Sequence, residues 1–118
     1  MRQSSASAQW SISTSGKVQR SDDGRNTWED VRVADGVTFR VITANGLDVW
    51  AGGSAGALYH SSDGGVVWNH VNVSSGGKSV TDAIVSIQLQ SRLRISVTVA
   101  SGQQWVTKDG GQRWRNKP

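Results

Sequence analysis

The sequence predicts an all-β fold, a β-propeller-type array of about three four-stranded blades holding about eleven strands. Three observations point there. One pattern (hydroxyl, any residue, Asp, Gly, usually Gly, two variable residues, Trp) occurs at Ser21–Trp28, Ser61–Trp68 and Thr107–Trp114, with starts 40 and 46 residues apart. A period near forty residues is the mark of propeller blades built from four short strands. Composition is the second: 14 Gly, one Pro and no long apolar run in 118 residues favour short strands and tight turns over helices or membrane spans. The third is register, because aligning the three copies also aligns the residues around them.

Residues 1–9, rich in Ser, Ala and Gln and without the apolar stretch of a signal peptide, read as a flexible lead-in or a cloning boundary. Residues 10–118 read as one propeller domain, with blades at about 10–33, 37–73 and 81–118. First strands need apolar alternation, found at Val37, Phe39, Val41, Thr43 and again at Ala83, Val85, Ile87, Leu89. The equivalent strand of the first unit would precede Met1. Second strands follow at Trp10–Thr14, Trp50–Ser54 and Ser96–Ala100. Each leads to a turn glycine (Gly16, Gly56, Gly102) five residues before the box hydroxyl.

Third strands are expected at Lys17–Arg20, Ala57–His60 and Gln103–Val106, with Val18, Leu58 and Gln104 in one column. Gln104 breaks its apolar character. Fourth strands start at the box Trp and run over 28–33, 68–73 and from 114 onward, the last one cut short. Ser74–Ser79, Gly-rich and polar, reads as a flexible loop between the second and third units.

Within each box the carboxylate and the hydroxyl are suited to satisfying turn amides, and glycine supplies positive φ without a Cβ clash. The Trp then begins the return strand and covers the turn. Ser21, Asp23, Gly24 and Trp28, then Ser61, Asp63, Gly64, Gly65 and Trp68, then Thr107, Asp109, Gly110, Gly111 and Trp114 are therefore read as structural. Arg25 departs, standing where the other copies have a second glycine.

These segments resemble the Asp-box, or bacterial neuraminidase, repeat. Gly16, Val18, Arg20, Ser21, Asp23, Gly24 and Trp28 are similar to the repeat of the photosystem II stability and assembly factor-like family. His60 and Val106 replace Arg20 in the other two units, which weakens transfer of a repeated arginine patch. The resemblance implies a non-catalytic protein-binding or assembly scaffold, a module of a larger bacterial protein, often membrane-anchored. It does not imply a role in photosynthesis.

Other chemistries fare less well on the residues present. A sialidase-like glycan-processing propeller, the alternative function, would need an Arg-Ile-Pro motif and a Tyr nucleophile with a carboxylate partner. The sole Pro is Pro118 and the sole Tyr is Tyr59, placed on a third strand as a packing or surface residue. Outside the boxes the carboxylates Glu29, Asp30, Asp35, Asp48 and Asp82 share no spacing, and Asp22 is the variable box position. Asp22-Asp23-Gly24 lacks the remaining ligands of a calcium loop, and His60 with His70 lacks a third ligand, so no metal and no cofactor are expected.

Thirteen basic against nine acidic residues leave +4, with the basic residues scattered apart from Arg92/Arg94 and Arg113/Arg115/Lys117. That distribution argues against a nucleic-acid stripe. The absence of Cys leaves the cellular compartment open. Candidate ligand contacts are Arg40, Arg92 and Arg94 near a channel mouth, together with Arg20, and Trp105, which has no Trp equivalent in the other units, as the aromatic contact. Three blades do not close a ring, and exposed columns such as Val31/Val33 and Val97/Val99 would invite self-association. A cyclic homo-oligomer is the resulting expectation, a dimer of six blades or else a trimer of nine, alongside a protein partner and no direct membrane insertion. A purely structural oligomerisation module is the third reading.

Overall fold

The structure, a computed structural model, describes residues 8–117. Most of the 1–9 lead-in expected from the sequence lies outside these residues, although Gln9 already belongs to a strand. Blade 1 contains β1 (Gln9–Ile12), β2 (Val18–Ser21) and β3 (Glu29–Asp30), hydrogen-bonded in that order. Blade 2 contains β4 (Phe39–Asn45), β5 (Asp48–Gly53), β6 (Leu58–Ser61) and β7 (Asn69–His70), with a short 3-10 turn at Ser54–Gly56. A separate hairpin, β8 (Ser74–Ser75) and β9 (Lys78–Ser79), precedes blade 3, formed by β10 (Ile84–Leu89), β11 (Ile95–Val99), β12 (Gln104–Thr107) and β13 (Trp114–Lys117). Every pairing is antiparallel and sequential, as in up-and-down propeller blades.

Cross-strand register reproduces the repeat. Trp10 lies opposite Arg20, Trp50 opposite His60, and Ser96 opposite Val106. Because side chains alternate along a strand, each sheet has a leading face toward the next blade and a trailing face toward the previous one. Trp10, Ile12 and Val18 of blade 1 meet Ala51 and Tyr59 of blade 2 in one apolar cluster. Trp50 and Leu58 of blade 2 meet Ile95, Val97, Val99, Trp105 and Trp114 of blade 3 in the other.

Several expectations are corrected. Val97 and Val99 do not lie on an outer face; both are buried against blade 2, because the odd-numbered residues of β11 point backward along the array. Val31 and Val33 are half-buried against the cluster between blades 1 and 2. The self-association argument built on exposed valine columns therefore loses its basis. The fourth strands of blades 1 and 2, β3 and β7, are shorter than expected, because the chain leaves the sheet after one more backbone bond (Val31 to Val18, Val71 to Leu58, each 2.8 Å) and turns its valines onto the core. The fourth strand of blade 3, expected to be cut short, is instead the longest of the three.

The first strands carry a further correction. Register slips between Phe39 and Val41 and between Ile84 and Ser86 place a β-bulge at each start. The extra residue reverses the phase of the alternation, so Ile84 is buried while Val85 is exposed. Finally, Ser74–Ser79 is a hairpin closed by Gly76-Gly77 (φ +60 and +80), the backbone signature of a two-residue primed turn, and is not an open loop.

Candidate functional site

The three box corners share one hydrogen-bond scheme. In the second, Ser61 Oγ donates to Asp63 Oδ1 (2.7 Å) and accepts from the Gly65 amide (2.8 Å), while the amides of Val66 and Val67 donate to the same carboxylate (3.1 and 3.0 Å). Trp68 Nε1 closes the corner on the Gly65 carbonyl (3.0 Å). The third corner repeats this with Thr107, Asp109, Gly111, Arg113 and Trp114. In the first, Asp23 accepts from Ser21 Oγ (2.8 Å), from the Thr27 amide (2.9 Å) and from the Thr27 hydroxyl.

Donors aimed at a carboxylate favour its charged form. The Thr27 hydroxyl, then its amide and the Ser21 hydroxyl, hold Asp23 down to about 2. Asp63 is lowered chiefly by the Val67 amide and then Ser61, and Asp109 by the Arg113 amide and then Thr107. Such carboxylates are held ionised by their own turns. Each corner of blades 2 and 3 is also tied to the inner hairpin of its blade, through Gly64 N to Leu47 O and Gly110 N to Leu93 O (both 3.0 Å).

The second box glycine has a role invisible in any single repeat. A Cβ on Gly65 would lie 2.4 Å from the Trp10 ring, and one on Gly111 would lie 3.1 Å from the Trp50 ring. The second-strand Trp of blades 1 and 2 thus seats on the box of the next blade. Trp10 also meets Trp68 edge to face, 6.0 Å between centroids. Arg25 (φ +78) occupies this left-handed position in the first box, and no Trp lies over it among the described residues.

The candidate contact residues are dispersed. Arg20 is committed locally, with Nε 3.0 Å from Asp22 and its guanidinium over the Trp10 ring at 5.8 Å. Arg40 is the bulge residue at the start of β4, whereas Arg92 and Arg94 lie in the turn between β10 and β11, at the box end of the array. Arg40 is therefore not brought together with the other two. Arg92 reaches across the blade interface to Asp48 (3.4 Å), which also bonds His60 Nε2 (3.0 Å). Trp105 is only 6% exposed and belongs to the apolar cluster between blades 2 and 3, where the sequence placed it as an exposed aromatic contact. Its strand parity, opposite buried Val97, decides this.

The remaining motifs resolve into packing. Tyr59 stands edge-on to Phe39 (6.1 Å) and His70 (5.2 Å). His60, opposite Asn69, and His70, opposite Tyr59, occupy opposite faces of one sheet and share no site. What sequence reasoning missed is a basic sheet face on blade 3, whose signal was the alternate spacing of Arg115 and Lys117. Among the described residues no helix is long and apolar enough to cross a membrane.

Sheets of three or four sequential antiparallel strands, joined by saturated Asp-box corners and stacked through Trp-on-Gly contacts, define an Asp-box β-propeller array. Residues 2–117 match the family described as photosynthesis system II assembly factor YCF48, and the chain belongs to that family. Two solved structures are similar in fold: one described as YCF48 bound to D1 peptide (TM-score 0.76, 21% identity, 92% of this chain and 35% of that one), and YCF48 from Cyanidioschyzon merolae (TM-score 0.75, 25% identity, 93% and 33%). The chain spans about a third of the length of each. No curated protein sequence matches it.

Proposed function

We propose that the chain is a non-catalytic module that holds a polypeptide partner during assembly of a larger complex. The observation that carries this reading is the box chemistry. The carboxylates that distinguish the repeat each accept bonds from their own turn, so they stabilise corners and are not positioned as an acid and base across a cleft. Membership of an assembly-factor family, and fold similarity to a protein described as bound to a peptide, support a polypeptide as the held molecule. That the chain acts as part of a larger bacterial protein belongs to the same proposal.

The test has two arms. The purified chain is titrated against a panel of synthetic peptides of acidic, neutral and basic composition, and incubated with fluorogenic sialosides and aryl glycosides. Saturable binding of at least one peptide without glycoside turnover is the expected result. Saturable hydrolysis abolished by one carboxylate substitution, or no binding to any peptide, overturns the reading.

A further inference from the structure

The leading face of blade 3 is built differently from the leading faces of the other two blades. Blades 1 and 2 carry Trp10 and Trp50, then Val18 and Leu58, in columns where blade 3 has Ser96 and Gln104. Polar residues stand where a following blade would be packed. The charges change in the same direction. Where blade 2 has Asp48, blade 3 has Arg94, and where blade 1 has Asp22 and Glu29, blade 3 has Lys108 and Arg115.

Strand pairing sets these residues side by side, since Val106 lies opposite Arg115 and Gln104 opposite Lys117. They line a groove of about 390 Å3 with Arg94, Lys108 and Gln88. All four cations are exposed, the groove lining contains no acidic residue, and none of the four forms an ion pair among the described residues. Burying such a face against an apolar sheet would strand four charges.

We propose that this face binds an acidic polypeptide segment in extended conformation, with Arg94, Lys108, Arg115 and Lys117 pairing its carboxylates. The inference rests on the protein-holding reading and names the partner's chemistry. Gln104 and Lys108 are four residues apart, so the cations span about 13 Å along the strands. An extended segment with acidic side chains at every second position presents carboxylates over the same length on one side. A nucleic acid fits less well, because no aromatic side chain lines the groove to stack a base. A membrane surface fits less well because Val106 and Ile95 are the only large apolar residues lining it. A second copy of the chain offers no surplus of acid, since on the trailing face of its first blade Asp30 is already engaged by Lys17 (3.8 Å) and Gln19 (3.0 Å).

The experiment is fluorescence anisotropy on the whole chain, with a labelled peptide carrying glutamate at every second position and its glutamine counterpart. Expected are saturable binding of the glutamate peptide that weakens with salt, no binding of the glutamine peptide, and a loss of about tenfold or more in the double variant Arg115→Glu/Lys117→Glu. Neutralisation of the other pair, Arg94→Gln/Lys108→Gln, is expected to weaken binding too. Lys78→Glu, on the exposed β9 hairpin, is expected to leave it unchanged, and thermal melts check that each variant is folded. Binding that survives both double variants, or equal binding of the two peptides, overturns the proposal while leaving the protein-holding reading intact. Tighter binding of a single-stranded oligonucleotide or of anionic vesicles than of the glutamate peptide overturns it as well. Failure to bind any peptide of the wider panel sinks the protein-holding reading itself.

Discussion

The seating of Trp10 on Gly65 can be dissected with Gly65→Ala. The backbone there has φ +94, and the added methyl would sit 2.4 Å from the indole ring. A left-handed conformation costs a non-glycine residue about 1–2 kcal/mol. Forcing a methyl into a filled contact adds about 1–3 kcal/mol. Together these give about 2–5 kcal/mol, which for a domain of this size lowers Tm by roughly 8–20 °C. A double-mutant cycle separates the parts. In a Trp10→Ala background the steric part is gone, so the same glycine substitution is expected to cost only the backbone part, about 1–2 kcal/mol. The assay is thermal or urea unfolding followed by Trp fluorescence and circular dichroism. An equal cost of Gly65→Ala in both backgrounds would show that the ring does not seat there, and an unchanged Tm in the first background would refute the whole argument.

Other perturbations follow from the same geometry. Arg25→Gly releases left-handed strain of about 1–2 kcal/mol against an entropic cost of about 0.5–1 kcal/mol, so melts should show it neutral to mildly stabilising, and clear destabilisation would mean Arg25 makes a contact that matters. Leu58→Ala, at a fully buried position, is expected to cost about 2–5 kcal/mol, whereas Gln104→Ala in the same repeat column should be nearly silent; equal costs would contradict the assignment of leading faces. Because the folded pKa of Asp23 is lowered to about 2, its stabilising contribution is complete above the ordinary carboxylate range and is lost as pH falls toward 2. Asp23→Asn should flatten the decline of Tm between about pH 4 and pH 2, and an unaltered acid limb would remove the box carboxylate from that role.

The blades were legible in the sequence because the box motif pins the turn between third and fourth strands, and antiparallel pairing propagates that anchor outward. Arg20, His60 and Val106 fell into one column for this reason. Facing was less legible. A strand's two faces differ only by parity, so Trp105 and Val97 looked like surface until the stacking direction of the sheets placed both against blade 2. The bulges at Arg40 and Val85 shift the parity of the first strands with no residue type that announces them. Ser74–Ser79 lacks apolar alternation, so only its Gly-Gly pair hinted at a hairpin. The basic groove is lined from successive strands of blade 3, and its charges gather on one face only when the sheet forms.

The contact of each leading Trp with the next box glycine gives the array a grammar for growth. The middle unit both donates a Trp (Trp50) and accepts one (at Gly65), so a tandem duplication of residues 37–73 would place a Trp over a glycine at every junction. Duplicating the third unit would bring Ser96 over a glycine, and duplicating the first would bring Trp10 over Arg25. Lengthening by recombination is therefore open at one internal position and closed at the flanks.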